Sequence, residues 1–455
     1  MIKLKEYIPD LKVLSDVEYY DIRLERRFIT TVIYHNDEPR EISEVVQNGG
    51  CVRVLFNGGW GFSSFTNLDN LTDKVSEAKS LASNVFNGRS KILSDDKKDI
   101  QITRLGDKNP ADISLAEKIS LVKEAGNRLR ANDNIDISNV GYSDVLRQVV
   151  LINKFGTLIE RDEVLTRGFV KGISMKTGEP LSSSRQANCW RGFEVFEELM
   201  DKIPEVEEEI DYLLKAENAK GGCYDVIIDP LLSGVFAHES FGHTSEADFI
   251  YKDDRMKEIL KLGRKLGSDA ISIVDGPINS DIAGDIQYDD EGVKAEETVL
   301  LDKGVLVNHL HSRETAKMMG EKLTGNARAL NFYYPPIVRM TNTYIKPSKA
   351  KLDELIKEVS DGLLIKGSQG GMGGEMFTFS AVLGIKIEDG KLTSPVKNLT
   401  LTGNLFTTLR NIKAVSDEVK MFSSWLGCGK NEQGPLPVGL GGPYVMIKDA
   451  LIGGR

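Results

Sequence analysis

Cysteine, histidine and tryptophan are all scarce in this 455-residue chain, at four, five and three residues. Cys51, Cys189, Cys223 and Cys428 are too few and too scattered for a disulfide framework. Reduced thiols are expected, which leaves thiolates free to bind metal. No run of about 18 apolar residues occurs, so no transmembrane helix is expected. The opening residues, "MIKLKEYIPDLKVLSD", are broken by charges and lack the apolar core of a signal peptide. A cytoplasmic protein is the expectation. Basic clusters with interleaved aromatics are missing as well, and the formal net charge is −10. Neither nucleic acid nor a membrane is therefore an expected partner.

At this length one ordinary core does not suffice, and two or three domains are expected. "YYDIRLER" alternates Tyr20, Ile22 and Leu24 with Asp21, Arg23 and Glu25, the period of a half-buried strand. "CVRVLFNGGWGF" reads as a strand that turns at Asn57-Gly58. Apolar residues spaced three and four apart (Leu71, Val75, Ala78, Ala82, Val85) predict a helix. A second helix opens at Ser114, capped with Glu117 three residues on. "RQVVLINKFGTLIER" predicts a hairpin around 154–156, and a helix follows over about 204–218. The Gly221-Gly222 pair marks the expected domain boundary. Beyond it, strands prevail, with a hairpin through Asp302-Lys303-Gly304, a turn at Asp389-Gly390, and helices near 231–248, 254–266, 312–320 and 350–361. The expected fold class is α+β. A mixed N-terminal domain spans 1–220, in one piece or in two parts of about 1–100 and 101–220. A strand-rich, mostly antiparallel catalytic domain spans 221–455.

The chemistry concentrates in "VFAHESFGHTSEAD", residues 235–248. His238 and His243 stand five apart, whereas helical metal motifs place their histidines four apart. On an ideal helix, residues five apart diverge by about 140°, against about 40° for four. An i→i+5 turn, the π-bulge, returns the fifth residue to the same face. A metal site here thus requires a bulge or break near Phe241 and Gly242, where glycine supplies backbone freedom. Catalytic zinc needs a third protein ligand. Cys, His, Asp and Glu are all candidates, with Cys428 ranked first because glycines and Lys430 flank it in a loop. Positive neighbours, Lys430 or the metal itself, would stabilise its thiolate. His309 and His311 alternate along an expected strand and cannot both face one cleft unless that strand bends. Cys223, before a strand, reads as a small buried hydrophobe.

Other features carry weaker signals. The loop "KGSQGGMGGEMFTFS" is no P-loop; Gly370, Gly371 and Gly373 could form a wall that a peptide backbone approaches closely. Asp289, Asp290 and Glu291 lack EF-hand spacing and are expected to form a solvated acidic turn. Asn326, Arg313 and Arg328 are candidates to position a substrate carboxylate or oxyanion.

"HESFGH", "DDEGVKAEETVLLDKGVL", "LTGNARA", "LGCGKNEQGPLPVGLGGPYV" and, in the first half, "VRVLFNGGWGFSSF" together resemble the TldD/PmbA family of metalloproteases over nearly the whole chain. The resemblance implies a zinc peptidase of the active, TldD type. His238, His243 and Cys428 would bind Zn2+, and Glu239 would be the general base. It also implies peptides or unfolded polypeptides as substrates, and a homodimer or a heterodimer with a related subunit. The competing readings are a metal-dependent amidohydrolase acting on a non-peptide substrate and a peptide-binding scaffold whose metal is structural or absent.

Overall fold

The computed structural model describes residues 4–85 and 88–454. Its first half is one seven-stranded sheet, ordered β3-β2-β1-β5-β6-β4 with β7 added on β6. The strands are β1 (Tyr19–His35), β2 (Glu38–Phe56), β3 (Gly59–Phe65), β4 (Asp99–Arg104), β5 (Ile137–Asn153), β6 (Leu158–Ser174) and β7 (Leu181–Cys189). Two expected turns are present: Asn57 and Gly58 take left-handed φ values of 50° and 72°, and β5 and β6 form the hairpin around 154–156.

Four helices cover this sheet. In α1 (Leu71–Asn84) the buried stripe is Leu71, Val75, Ala78 and Ala82, while Val85 lies past its end and is exposed. Ser114 Oγ caps α2 (Leu115–Arg130) by accepting from Glu117 N–H. Two further helices, α3 (Glu194–Met200) and α4 (Ile203–Lys215), pack Phe196, Leu199, Val206 and Ile210 into the same core as Val122 and Leu129.

Gly222–Ile228 starts the second half and enters a ten-stranded sheet between Asp361–Lys366 and Val445–Gly453. A six-stranded sheet built around Ile273–Asp275 and Asn342–Ile345 stands beside it. Antiparallel pairing prevails in both, with parallel pairs confined to a few strands such as Gly222–Ile228 on Asp361–Lys366. The molecule is α+β, and its largest core takes side chains from both of these sheets.

The acidic side of β1 overturns one expectation. Asp21, Arg23 and Glu25 are as buried as Ile22 and Leu24, so the strand is covered on both faces. The charged face is covered by Asp289, Asp290 and Glu291, which are buried and do not form a solvated turn. Arg53 joins Asp21 to Glu291, and Arg23 and Arg161 lie 3.4 and 3.3 Å from Asp290. Arg313 is wholly buried and bonds the Glu291 and Leu93 carbonyls and Asp95. Cys223 is a second correction: it lies within its strand on an exposed position. The helix expected over 254–266 is limited to Asp254–Ile259, before Gly263 turns the chain at φ 85°.

Candidate metal centre

Asp229 and Pro230 start the segment that carries the histidines. Asp229 Oδ1 accepts from Leu232 N–H at 2.8 Å, and Pro230 occupies the first turn, where its missing N–H costs nothing. The α-helix α5 (Pro230–Val235) then widens into a π-helix over Phe236–Gly242. His243 N–H donates to the His238 carbonyl, an i→i+5 bond between the two histidines themselves. The bulge required by their spacing is therefore present, and the two rings lie 5.2 Å apart. Gly242 has a different role from the expected one. Its φ of −58° suits any residue, but a Cβ would meet Met340 Sδ at 2.1 Å. A side chain there would require Met340 to shift.

Cys428 arrives on a short hairpin, Cys428–Lys430 against Gln433–Leu436. Wholly buried Arg339 fastens it by donating to the Cys428 and Gln433 carbonyls at 2.8 and 2.9 Å. Cys428 Sγ stands 3.2 Å from His243 Nε2, and donor atoms of His238, His243 and Cys428 all lie within 4.8 Å of one another. Burial pushes the Cys428 thiol up, but the two imidazoles outweigh it and bring the value down to about 4. Burial opposes a charge on His243, yet Cys428 and Glu246 raise it to about 10. A thiolate thus faces an imidazole nitrogen with a positive charge required between them. His238 Nδ1 is buried with no hydrogen-bond partner. One soft thiolate and two imidazoles form a donor set of the type that transition metals select, so these residues fit a metal ion.

Glu246 and Lys430 stand behind the ligands. Glu246 Oε2 accepts from His243 Nδ1 at 3.1 Å and from Lys430 Nζ at 3.0 Å. Lys430 also bonds Asp248 and the Val338 carbonyl, and the two imidazoles are the leading influences that lower the Cys428 thiol. Only the pattern of acids after "HESFGH" could have flagged Glu246. Glu239 points differently: its side chain keeps 37% of its surface, with Oε2 4.0 Å from His243 Nε2.

Among the glycines, Gly373 touches the site directly. A Cβ there would fall 2.2 Å from the Glu239 carbonyl oxygen. Gly371 packs against Thr378 in a short hairpin, and Gly370, at φ 100°, has open space around it. Asn326 and Arg328 are buried: Asn326 bonds Asp275 and the Arg339 carbonyl, and Arg328 bonds the Met340 and Pro437 carbonyls. His309 and His311 converge, because residues 307–312 form no regular strand that would hold them on opposite faces.

Three domains of one family match in order along the chain: PmbA/TldA metallopeptidase domain 1 over 20–82, the central domain over 108–203 and the C-terminal domain over 221–454. The chain belongs to the PmbA/TldA metallopeptidase family. It is 38% identical to a metalloprotease of Synechocystis, covering 99% of this chain and 98% of that one. Identity to a metalloprotease of Methanocaldococcus jannaschii is 34%, covering 95% and 97%. A zinc metalloprotease TldD homolog of Saccharolobus solfataricus is 27% identical, covering 99% of both chains. The fold is shared with TldE of Thermococcus kodakarensis at a TM-score of 0.75 and 15% identity, covering 99% and 98%. No helix among the described residues is long and apolar enough to cross a membrane.

Proposed function

We propose that the chain is a zinc-dependent peptidase in which His238, His243 and Cys428 hold the metal and Glu239 is the general base. The convergence of one thiolate and two imidazoles across the π-bulge carries this reading. When bound, zinc supplies a Lewis acid that acidifies a water toward a pKa of about 7 and polarises the scissile carbonyl. Glu239, partly exposed beside the ligands, takes the proton from the attacking water and passes it to the leaving amine. Glu246 accepts a hydrogen bond from His243 Nδ1–H, which would leave Nε2 free to hold a metal.

Substrate enters as an extended peptide. Gly371–Met372 is the terminal strand of the ten-stranded sheet, and Met372 and Met376 beside it are 78% and 65% exposed. A peptide added to that edge would bond through its backbone, which favours unfolded polypeptides over any one sequence. Gly370, Gly371 and Gly373 would wall this approach, and Asn326 and Arg328 would help position a substrate carboxylate or oxyanion. The protein would act in the cytoplasm as a homodimer, or as a heterodimer with a related subunit. Light scattering of the purified chain, alone and with such a subunit, decides between the two.

The deciding experiment compares wild type, Glu239→Gln and Cys428→Ala on a mixture of unstructured peptides. Glu239→Gln should retain zinc and lose cleavage, and Cys428→Ala should lose one zinc and all cleavage. Cleavage by Glu239→Gln at the wild-type rate rejects the mechanism.

A further inference from the structure

A second group of buried donors lies behind this centre, and no step of the proposed hydrolysis uses it. His309 and His311 flank Leu310, whose N–H donates to the Ser245 carbonyl at 2.9 Å. The Leu310 carbonyl accepts from Ala247 N–H at 3.0 Å, so the pair runs beside the segment that follows His243. The helix Arg313–Met319 then leads away and ends at Gly320, in the left-handed conformation at φ 71°. That reversal returns Glu321 to the two imidazoles. Both Glu321 oxygens stand 3.0 Å from His309 Nδ1, and Oε2 stands 3.0 Å from His311 Nε2.

His309 Nε2 lies 2.9 Å from the Leu260 carbonyl, which only accepts, so this nitrogen carries hydrogen. A neutral His309 then aims the lone pair of Nδ1 at a carboxylate. Two buried acceptors at this distance repel, and a cation must lie between them. A single proton on Nδ1 would relieve the His309 contact, and the Nε2–H tautomer of His311 satisfies the other by donating to Glu321. A metal ion would also use His311.

The remaining geometry favours the metal. Ligand atoms bound tetrahedrally at about 2.0–2.1 Å stand about 3.3 Å apart; the nitrogen–oxygen separations here are 3.0 Å, and all three donors lie within 4.8 Å of one another. Both outer nitrogens are already anchored, His309 Nε2 by Leu260 and His311 Nδ1 by Thr315 Oγ1 at 3.1 Å. Ligating histidines are commonly held in this way. The His309 and His311 side chains are 2% and 1% exposed, while Glu321 keeps 16% and gives an entry path.

We propose that His309, His311 and Glu321 form a second metal site for a divalent transition-metal cation such as zinc. Its donors are nitrogen and oxygen only. The ion would be structural, tying the Gly320–Glu321 reversal to the segment that runs beside Glu246. This site does not depend on the hydrolytic reading.

The test measures zinc in the full-length protein after stripping by a strong chelator, reloading and desalting. About two zinc ions per chain are expected, falling to about one in His309→Ala, in Glu321→Gln and in Cys428→Ser. Glu321→Gln is the milder change, at a partly exposed position with the same shape, and decides the question if His309→Ala does not fold. Cobalt gives a separate readout, because a thiolate ligand adds a charge-transfer band. That band should persist in Glu321→Gln and be absent from the cobalt remaining in Cys428→Ser. About one zinc in wild type that is lost with Cys428→Ser overturns the second site, as does an unchanged content in Glu321→Gln. Two ions retained in Cys428→Ser, one of them lost in Glu321→Gln, would reject the first ligand set and leave the second standing.

Discussion

Lys430 Nζ lies 3.0 Å from Glu246 Oε2, the same oxygen that accepts from His243 Nδ1. Both side chains are nearly inaccessible, at 4% and 0%. Burial pushes the Glu246 carboxyl up, but His243 and Lys430 hold it below the usual range. Lys430→Met would leave Glu246 and Asp248 facing each other without their cation. Breaking a buried pair from one side costs about 3–5 kcal/mol. Loss of the His243 anchor should also weaken zinc binding by about 10–100-fold. Denaturant titration and zinc competition measure the two effects, and unchanged zinc affinity would show that Glu246 orients His243 unaided.

The Cys428 thiol gives a pH prediction for the metal-free protein. Its value is depressed to about 4, so the thiolate persists from neutral pH downward and disappears as pH falls through about 4. Cys51 and Cys189 are pushed the other way by burial, to about 11, and add no thiolate near neutral pH. The thiolate absorbance lost on Cys428→Ser should therefore be constant from pH 6 to pH 8. A difference that emerges only above pH 8 would mean that the imidazoles do not stabilise the thiolate.

The centre was legible where its chemistry is local, and hidden where it depends on distant chain. If His238 and His243 are to share a metal, their five-residue spacing requires a bulge or a break, and a π-bulge is there. Period-two patterning gave the long strands, and Asn57-Gly58 gave its turn. Asp289, Asp290 and Glu291 look solvated in sequence because their partners, Arg23, Arg53 and Arg161, lie more than a hundred residues away. Convergence of His309 with His311 was hidden for a similar reason. It depends on an irregular backbone and on a carboxylate returned by a left-handed Gly320.

Arg53 is the strongest of those distant links. It donates to Asp21 Oδ2 at 2.5 and 3.0 Å and to Glu291 Oε1 at 2.7 Å, joining β1 and β2 to the second half of the chain. Its guanidinium also lies 4.7 Å from the Trp60 ring centre. Arg53→Met would strand two buried carboxylates and should cost about 3–5 kcal/mol. Removing the exposed Lys12–Asp10 pair should leave the unfolding midpoint unchanged. Equal midpoints for the two variants would mean that the buried network contributes nothing to stability.

Gly373 tests how closely the loop sets the base. A methyl group there would fall 2.2 Å from the Glu239 carbonyl oxygen and 2.4 Å from its carbon, both backbone atoms that cannot rotate away. Gly373→Ala must therefore displace either the loop or Glu239. The three atoms nearest that methyl group all belong to Glu239 and none to a metal donor, so zinc content should hold. Misplacement of a catalytic group by about 1 Å costs on the order of 100-fold in rate. The expected result is a kcat loss of that order with zinc retained. A rise in KM alone would assign Gly373 to substrate binding, and loss of zinc would show that the loop supports the ligands themselves.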